Sequence, residues 1–272
     1  MDVLRFMEMT LRAAGEVVMS HFNGPRDVTY KADQSVVTKA DIASEAVIVE
    51  RIRTFFPEDK IQSEECGLLS TDRSPGSAIW ICDPLDGSAN FASGLGHFCI
   101  SIARAVFLPG GGLSVLVGGV FDPVHDKMYL AERGFGATVN GEPMRVRLPR
   151  PLSRALLGTS IYPGRGMGIS QDITCYEHVA WHCSTIRRSG AAALDLARTA
   201  EGIYDAYFEI GLRSWDMAAG SLLVTEAHGA ALNYCSHMFS VERPSIVAGS
   251  IELVRELSEI VAFHYAGKEV TT

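Results

Sequence analysis

Two aspartates at the end of an apolar segment are the residues of this sequence best placed to do chemistry. Residues 78–82 are wholly apolar and run directly into Asp83 and Asp86, which stand three positions apart. If the turn between them is tight, both carboxylates converge on one point. Carboxylate oxygens are ligands that Mg²⁺ prefers, and the amides of Gly87 and Ser88 could face an anion. The segment fits a metal and phosphate site, although a surface Asp-Gly turn would contain the same residues.

Further acidic positions could join that site, and each has an ordinary structural alternative. Glu64 and Glu65 follow a short predicted strand and are also compatible with an exposed loop. Asp41 lies three positions after Thr38, a spacing typical of a capping box at a helix start. Asp216 precedes a run of small residues and could simply be the N-cap of its helix. From spacing alone, catalytic and capping roles stay open for these residues.

Other catalytic patterns are disfavoured. His178 and His182 have the i, i+4 spacing of zinc ligands, with Cys175 and Cys183 nearby. The Glu of an HExxH motif is missing and the cysteines do not share the histidine face, so zinc is the weaker interpretation. The sequence contains no complete GxGxxG, GxxxxGKS/T or GxSxG motif. Dinucleotide-binding, P-loop and hydrolase interpretations therefore find no support.

Hydrophobic periodicity predicts the helices and strands that must position these side chains. An amphipathic helix opens the chain, and a second helix begins near Asp41 and stops at Pro57. Further helices are predicted at 172–182, 191–201, 216–228 and 250–264. Strands are predicted at 60–63, 78–82, 98–107, 113–121, 126–131, 155–160, 185–187 and 203–209.

A stretch rich in proline and arginine divides this pattern into two halves. Its basic residues are Arg145, Arg147, Arg150 and Arg154. In an acidic chain we interpret them as a solvated linker, with a basic patch as the alternative. Residues 1–148 are then an N-terminal α+β half that carries most of the acids. Residues 149–272 are a C-terminal α/β half that carries Asp216.

Composition limits the class of protein. The 272 residues carry 24 basic and 32 acidic side chains, a net charge of −8, and 47% are hydrophobic, which is typical of a globular protein. A general nucleic-acid or anionic-membrane binder would have a basic face. No apolar run approaches the ~20 residues of a spanning helix, and charges interrupt the first helix, unlike a secretory signal. Six dispersed cysteines without CxxC indicate reduced, buried thiols, so we expect a soluble cytoplasmic protein.

Two longer motifs resemble the inositol monophosphatase family of Mg²⁺-dependent phosphatases. Residues 83–91, Asp-Pro-Leu-Asp-Gly-Ser-Ala-Asn-Phe, are similar to the family signature D-P-I/L-D-G-T-x-N-F. Residues 215–220, Trp-Asp-Met-Ala-Ala-Gly, continue to Glu226-Ala227 and are similar to the second signature. Segments 187–195 and 205–211 also fit, and 38–41 and 64–65 lie where the family has its early acids.

The resemblance implies a fold, a cofactor and a role for each matching residue. The fold is α/β, a layered αβαβα sandwich of the inositol monophosphatase/fructose bisphosphatase type, often a homodimer. The implied ligands of two or three Mg²⁺ ions are Glu64, Asp83, the Leu85 carbonyl, Asp86 and Asp216. The implied catalytic residues are Asp41, Ser88 and Glu64, of which the first two orient and deprotonate the attacking water. The implied substrate contacts are Asp86, Gly87, Ser88, Ala192 and Glu209.

These implications predict a lithium-sensitive phosphatase of small polyol or sugar phosphates, with myo-inositol 1-phosphate as the best single substrate. Fructose 1,6-bisphosphate, histidinol phosphate and a nucleotide 3′-phosphate are the alternative substrates. A non-catalytic, metal-dependent sugar-phosphate-binding protein is the alternative class, and no nucleic-acid or membrane partner is expected. Ser88 replaces the family threonine and lacks the methyl that restricts χ1, which bears on rate. Ala89, Gly96 and His228 also depart from the family pattern and bear on packing or substrate preference.

Overall fold

The computed structural model describes residues 2–24, 28–30, 36–68, 72–161, 169–236 and 238–265. Its helices are α1 (Val3–Phe22), α2 (Lys39–Phe55), α3 (Ser88–Ser93), α4 (Ile169–His182), α5 (Ala192–Ala200), α6 (Ser214–Glu226) and α7 (Ile251–Tyr265). Its strands are β1 (Val28–Tyr30), β2 (Val36–Thr38), β3 (Lys60–Ser63), β4 (Gly67–Leu68), β5 (Ala78–Asp86), β6 (Cys99–Phe107), β7 (Leu113–Asp122), β8 (Lys127–Glu132), β9 (Gly136–Val139), β10 (Glu142–Pro143), β11 (Leu156–Thr159), β12 (Thr185–Arg187), β13 (Ala206–Ile210), β14 (Ala230–Leu232) and β15 (Ser245–Gly249). A 3₁₀ helix spans Leu152–Arg154.

An eight-stranded sheet carries most of the acids singled out above. Its strand order is β10-β9-β8-β7-β6-β5-β3-β4. All nine residues of β5 are buried, because helices cover both faces of the sheet at this strand. β3 runs parallel to β5, with Ser63 opposite Cys82. The two strands therefore end at the same edge, and the turn that follows β3 lies beside the end of β5.

A second sheet has five strands, in the order β12-β11-β13-β15-β14. β11 pairs in parallel with β12 and β13, whereas β15 runs antiparallel between β13 and β14. Two short strands, β1 and β2, form a separate antiparallel pair just before α2. Strand β13 is buried along its whole length, which places its polar residues inside the protein.

The elements stack in five layers that confirm the predicted αβαβα sandwich. α1 and α2 cover the outer face of the eight-stranded sheet, with a core that includes Phe6, Met7 and Trp80. α5 and α6 lie between the two sheets and share one core with both of them. α4 and α7 cover the outer face of the five-stranded sheet. Helix α1 packs on this face because it is amphipathic: its apolar side is buried against the sheet, and its charged side is not buried.

Glycines allow α6 to lie close to both of its neighbours in the middle layer. A Cβ on Gly220 would come within 2.5 Å of the Leu196 Cβ on α5, a distance that real Cβ atoms do not show. A Cβ on Gly118 of β7 would come within 3.0 Å of the Ala219 Cα. The small residues after Asp216 therefore bring the start of α6 close to the sheet that carries the other acids.

The structure corrects several expectations from the sequence. α3, β14 and β15 were not predicted, because short segments with glycine and polar neighbours have little periodicity. The arginine stretch is a solvated linker only in part: Arg145 and Arg154 are exposed, whereas Arg147 Nε and Arg150 Nε lie 3.7 Å and 2.8 Å from a carboxylate oxygen of buried Asp205. A buried carboxylate requires such partners.

The cysteines are not all buried, contrary to what the sequence had suggested. Of the six, Cys66 and Cys235 are exposed. None of the helices in the described ranges combines the length and the apolar composition of a membrane span, in line with the sequence.

Candidate active site

The end of β5 is irregular, and this irregularity brings the two aspartates of the first motif to one place. Asp83 pairs with Ser101 of β6 and Asp86 pairs with Cys99, with a shift of register between them. Such a bulge bends a strand and changes the direction of its side chains. The Asp83 Oδ1 atom accepts a hydrogen bond of 3.0 Å from the Leu85 amide, which tightens the turn. A tight turn at this place is the condition that the sequence set for the two carboxylates to converge.

Gly87 follows this turn and starts α3 in a conformation that other residues rarely adopt. Its φ is +93°, and an added Cβ would come within 2.9 Å of the His97 carbonyl oxygen and 3.1 Å of the Ala191 Cβ. Only glycine fits both the backbone angle and the space. The amides of Gly87 and Ser88, the predicted phosphate contacts, are therefore held at the start of α3.

Asp41 serves as a helix cap and as the partner of Ser88 at the same time. Its Oδ2 atom accepts hydrogen bonds from the Thr38 amide (2.8 Å) and the Thr38 hydroxyl (2.6 Å) at the start of α2. Its Oδ1 atom accepts a hydrogen bond of 2.6 Å from the Ser88 hydroxyl. Burial raises the pKa of Asp41, and the bonds from Ser88 and Thr38 offset part of that rise. The two roles that the sequence left open for Asp41 are therefore compatible.

Four carboxylates, which we call the acidic cluster, influence one another at this edge of the sheet: Glu64, Asp83, Asp86 and Asp216. Burial raises the pKa of Asp83 well above its ordinary value, and the negative charges of the other three raise it further. The pKa of Asp86 is raised by burial first and then by the charge of Asp216. Carboxylates that repel one another in a buried place require a counter-charge to remain ionised.

Asp86 also holds the start of α5, a role that the sequence did not reveal. Its Oδ2 atom accepts hydrogen bonds from the Ala193 amide (2.8 Å) and the Leu194 amide (3.3 Å), 107 and 108 residues away. Ala191, the N-cap residue of α5, has no side-chain hydrogen bond to the helix. Asp86 therefore caps this helix from the other half of the chain, close to the predicted substrate contact Ala192. The weak N-cap residue was the one sequence feature that could have indicated a partner elsewhere.

Asn90 is a second residue whose role the sequence did not show. Its side-chain amide donates hydrogen bonds to the His97 carbonyl (2.7 Å) and the Ser189 carbonyl (2.9 Å). The first acceptor lies in the loop before β6, and the second lies in the loop before α5. Asn90 thus joins the loops that surround Gly87 and Ala191.

Asp216 and Glu64 reach the cluster from two different elements. Asp216 is the third residue of α6, not its N-cap, and its Oδ2 atom accepts a hydrogen bond of 2.6 Å from the Arg213 amide. Glu64 is half-buried in the turn after β3, and its amide donates to the Cys82 carbonyl at 3.2 Å. The parallel pairing of β3 with β5 therefore brings Glu64 beside Asp83.

Glu209 lies in a different setting from the one expected. The sequence predicted a strand over 203–209 that has Glu209 as its last residue, and the family resemblance implied a contact with substrate. The structure instead places it within β13, 2% exposed, where it accepts a hydrogen bond from the Tyr207 hydroxyl. Burial raises the pKa of Glu209 well above its ordinary value, and the charges of Asp216, Asp195 and Asp86 raise it further. The carboxylate is thus buried and close enough to the acidic cluster to be affected by it.

The donor set fits Mg²⁺, although the cluster is not a preformed cage. No group of three or more His, Cys, Asp or Glu side chains within the described ranges stands ready to hold a metal ion. The fit lies in the chemistry, because four mutually repelling carboxylates and the Leu85 carbonyl are oxygen donors that a divalent cation would draw together. The histidines weighed as zinc ligands are engaged elsewhere: His178 Nδ1 lies 2.9 Å from His264 Nε2, and His182 Nδ1 lies 2.7 Å from the His178 carbonyl.

A cavity of about 360 Å³ lies between the start of α6 and the eight-stranded sheet, with Gln62, Ile79 and Trp215 in its lining. No member of the acidic cluster lines it. Ile79 stands four residues before Asp83 on β5, so this cavity is separate from the carboxylates.

Comparison with known proteins gives a consistent result over nearly the whole chain. The model of the inositol monophosphatase family matches residues 2–264. The Nus factor SuhB of Pseudomonas aeruginosa is 38% identical over 259 residues, which cover 93% of each chain. The extragenic suppressor protein suhB of Bartonella henselae has a TM-score of 0.87 at 30% identity, over 95% of this chain and 98% of that one. An inositol monophosphatase from Anabaena has a TM-score of 0.79 at 33% identity, over 96% and 95%.

Proposed function

This chain belongs to the inositol monophosphatase family, and from that premise we propose that it is a Mg²⁺-dependent phosphatase of small polyol or sugar phosphates. The observation that carries the proposal is the acidic cluster, in which four buried or half-buried carboxylates repel one another beside a serine–aspartate pair. We further propose myo-inositol 1-phosphate as the substrate, with inositol and phosphate as the products.

Five groups of the chain would hold the cations: the carboxylates of the acidic cluster and the Leu85 carbonyl. Bound there, divalent cations supply Lewis acidity, neutralise the charge of the phosphate and lower the pKa of water. Glu64 is assigned to the metal set and to the catalytic set, because the turn after β3 brings it beside Asp83. The proposed number of ions is two or three.

Proton movement is assigned to Ser88 and Asp41. The attacking water gives a proton to the Ser88 oxygen as the Ser88 hydroxyl passes its own proton to Asp41 Oδ1, 2.6 Å away. Burial raises the pKa of Asp41, which makes its carboxylate a better proton acceptor. The hydrogen bonds from Thr38 hold the Asp41 carboxylate in place through this step.

Substrate binding is assigned to the start of α3 and to the middle layer. The amides of Gly87 and Ser88 are proposed to bind the phosphate, at a backbone angle that glycine permits. Asp86, Ala192 and Glu209 are proposed to contact the leaving alcohol. The position of Asp86 supports this assignment, because its carboxylate accepts hydrogen bonds from the two backbone amides that follow Ala192. Glu209 supports a hydroxyl-rich substrate, since a buried carboxylate acceptor is best satisfied by several donors.

The name of the bacterial relatives favours a second candidate function. The Pseudomonas aeruginosa protein at 38% identity is called a Nus factor, which suggests a role connected with transcription. In this chain, whose net charge is −8, such a role would involve a partner protein more readily than direct binding of nucleic acid. A catalytically inactive variant that still supports this role in cells would separate it from phosphatase activity.

Three further properties are proposed from the family alone: a homodimer, inhibition by Li⁺ and a cytoplasmic location. Inhibition that is uncompetitive with substrate at millimolar Li⁺ is the expected form. Insensitivity to Li⁺ would place the chain in another branch of the family without changing the proposed chemistry.

Phosphate release with and without Mg²⁺ tests the proposed function. The panel comprises myo-inositol 1-phosphate, fructose 1,6-bisphosphate, histidinol phosphate and adenosine 3′,5′-bisphosphate. We expect Mg²⁺-dependent turnover with the highest kcat/KM for the inositol phosphate. A higher kcat/KM for another member would reassign the substrate. Absence of turnover on the whole panel would leave the non-catalytic binding protein and the transcription-related role.

A further inference from the structure

Helix α2 contacts three of the chain segments that present the proposed catalytic and cation-binding groups. Asp41 accepts a hydrogen bond from Ser88 at the start of α3, as described above. The Ser44 hydroxyl donates to the Pro84 carbonyl at 2.8 Å, in the turn between Asp83 and Asp86. One turn of helix from Asp41, Glu45 reaches the third segment, the turn after β3 that carries Glu64.

Glu45 holds this turn through two backbone hydrogen bonds. Its Oε1 atom accepts from the Glu65 amide at 3.2 Å and from the Cys66 amide at 3.1 Å. The Glu45 side chain belongs to a residue that is 9% exposed. Hydrogen bonds to a charged acceptor are among the stronger ones in proteins, particularly where water is excluded.

Backbone hydrogen bonds therefore hold the turn at Glu64 itself and at the two residues that follow it. On one side, the Glu64 amide donates to the Cys82 carbonyl. On the other side, the two bonds to Glu45 hold residues 65 and 66. Beyond them, the two-residue strand β4 pairs antiparallel with β3, with Gly67 opposite Ser63, so the turn is the loop of a short hairpin at the edge of the sheet.

We propose that Glu45 is a positioning residue for Glu64. By accepting hydrogen bonds from the amides of residues 65 and 66, Glu45 directs the Glu64 carboxylate toward Asp83. It thereby sets the affinity of the site for a divalent cation. The proposal rests on the proposed function in so far as Glu64 is a cation ligand. Glu45 contributes as a hydrogen-bond acceptor and not as a ligand, which distinguishes it from the acidic cluster.

The chain contains a matched control for this role. Glu226, near the end of α6, accepts hydrogen bonds of 3.0 Å from the Gly134 amide and the Gly136 amide. It is therefore also a carboxylate that holds a turn through two amides. It lies ten residues along α6 from Asp216, about 15 Å at the rise of an α-helix. Loss of Glu226 removes the same kind of contact away from the acidic cluster.

The experiment compares wild type with Glu45→Ala, Glu45→Gln, Glu45→Asp and Glu226→Ala. Metal-free protein is titrated with Mg²⁺ in a calorimeter, amide hydrogen exchange is followed at residues 64–66, and thermal unfolding is recorded in EDTA. We expect Glu45→Ala and the shorter Glu45→Asp to weaken Mg²⁺ binding about tenfold and to speed exchange in the turn. Glu45→Gln, whose amide oxygen can still accept both bonds, should stay within about threefold of wild type. Glu226→Ala should bind Mg²⁺ like wild type.

Three results would overturn the proposal. If Glu45→Ala and Glu226→Ala both lower the unfolding temperature and neither changes Mg²⁺ affinity, Glu45 only stabilises the fold. If Glu45→Gln binds Mg²⁺ as weakly as Glu45→Ala, the charge of Glu45 acts directly. If wild type binds no divalent cation, the proposed function fails together with this inference. The first two results leave Mg²⁺-dependent turnover of wild type intact, so the failures can be told apart.

Discussion

The Ser88 hydroxyl has one proton to donate and two acceptors within reach. Asp41 Oδ1 lies 2.6 Å from its oxygen and the Leu85 carbonyl lies 2.9 Å away. Ser88→Ala removes the proposed relay while leaving the amide of residue 88 in place. We expect kcat to fall by roughly 10²–10⁴, the scale of general acid–base help, with a small change in KM. Steady-state kinetics with inositol phosphate measure both parameters.

Ser88→Thr is the control for that change, because it keeps the hydroxyl. The added methyl restricts χ1, so the variant should remain active and could turn over faster. If Ser88→Ala keeps the kcat of wild type, water in this site is activated without Ser88 and the relay is wrong.

Asp83 is the member of the acidic cluster whose pKa responds to all three of the others. In Asp83→Asn a neutral amide replaces an anionic oxygen donor. Removal of residues that merely support a metal ligand commonly costs 10–100-fold in affinity, so loss of a ligand should weaken Mg²⁺ binding by at least about 100-fold. Calorimetric titration and Mg²⁺-dependent phosphate release measure the loss. Near-normal kcat at modest Mg²⁺ would remove Asp83 from the metal set.

Substitution of Glu209 tests whether this residue acts in substrate recognition or in catalysis. Glu209→Ala should cost about 1.5–3 kcal/mol in kcat/KM for inositol phosphate, the scale of hydrogen bonds to a charged group. Hydrolysis of p-nitrophenyl phosphate, which has no hydroxyls to present, should change little. Tyr207→Phe removes the hydroxyl that contacts Glu209 and should show a smaller loss of the same kind. Equal losses on both substrates would place Glu209 in the fold or in the metal network.

Residue types and spacing anticipated much of this site, but not its connections. The two aspartates after an apolar segment and the spacing from Thr38 to Asp41 are local patterns, and local patterns are visible in a sequence. The bonds from Asp86 to the start of α5 and from Glu45 to the turn after β3 join residues 20 to 108 positions apart. Contacts of that range depend on the tertiary fold, so no spacing rule predicts them.

At the scale of elements, α6 lies in close contact with α5 at Gly220. Gly220→Ala would place a methyl group 2.5 Å from the Leu196 Cβ, so either α5 or α6 must move. Overpacking of this kind costs about 1–3 kcal/mol of unfolding free energy. Chemical denaturation of the metal-free protein measures it. Because α6 carries Asp216, the displacement should also weaken Mg²⁺ binding.

Gly110→Ala is the matched control for Gly220→Ala. An added Cβ there meets no atom within 4 Å, so the change in unfolding free energy should stay within about 0.5 kcal/mol. If both variants are equally stable, α6 has more freedom than its contacts indicate.

Long elements with a clear period were predicted from the sequence. Among the short ones, β3 and β12 were predicted, whereas α3, β14 and β15 were not. The stripe of α1 and the continuous apolar run of β5 match their observed positions closely. β5 nevertheless extends four residues past the predicted end, because Asp83 and Asp86 still pair with β6 despite their charge. Composition suggests a turn there, whereas pairing with the neighbouring strand decides the structure.

At the scale of the whole molecule, the buried carboxylates make stability depend on pH in a direction that can be stated. Asp83, Asp86 and Glu209 have pKa values well above the ordinary values of 3.8 and 4.5 that describe them when exposed. Between the ordinary and the raised pKa, the folded chain binds more protons than the unfolded chain. The contribution of these three groups to the unfolding free energy of metal-free protein should therefore be greatest at or below the ordinary pKa and be lost as pH rises through the raised one.

Thermal unfolding in EDTA between pH 5 and pH 8 tests this direction. We expect the unfolding temperature to fall across that range, and Mg²⁺ to raise it more at pH 8 than at pH 5, because the cation neutralises the ionised cluster. An unfolding temperature that rises with pH in EDTA would contradict the electrostatic account of the cluster. Asp83→Asn, which removes one of the repelling charges, should have a flatter profile than wild type.

The segment that connects the two sheets, residues 145–154, affects where a protease can cleave the folded protein. Trypsin cleaves after arginine, but only where several residues around the bond can extend into the protease. Arg147 and Arg150 pair with Asp205, and the Val146 amide donates to the Ala227 carbonyl at 3.0 Å, so residues 146–150 are held at three points. Arg145 and Arg154, by contrast, are exposed. The folded protein should therefore resist cleavage after Arg147, and digestion should produce no stable fragment that ends there.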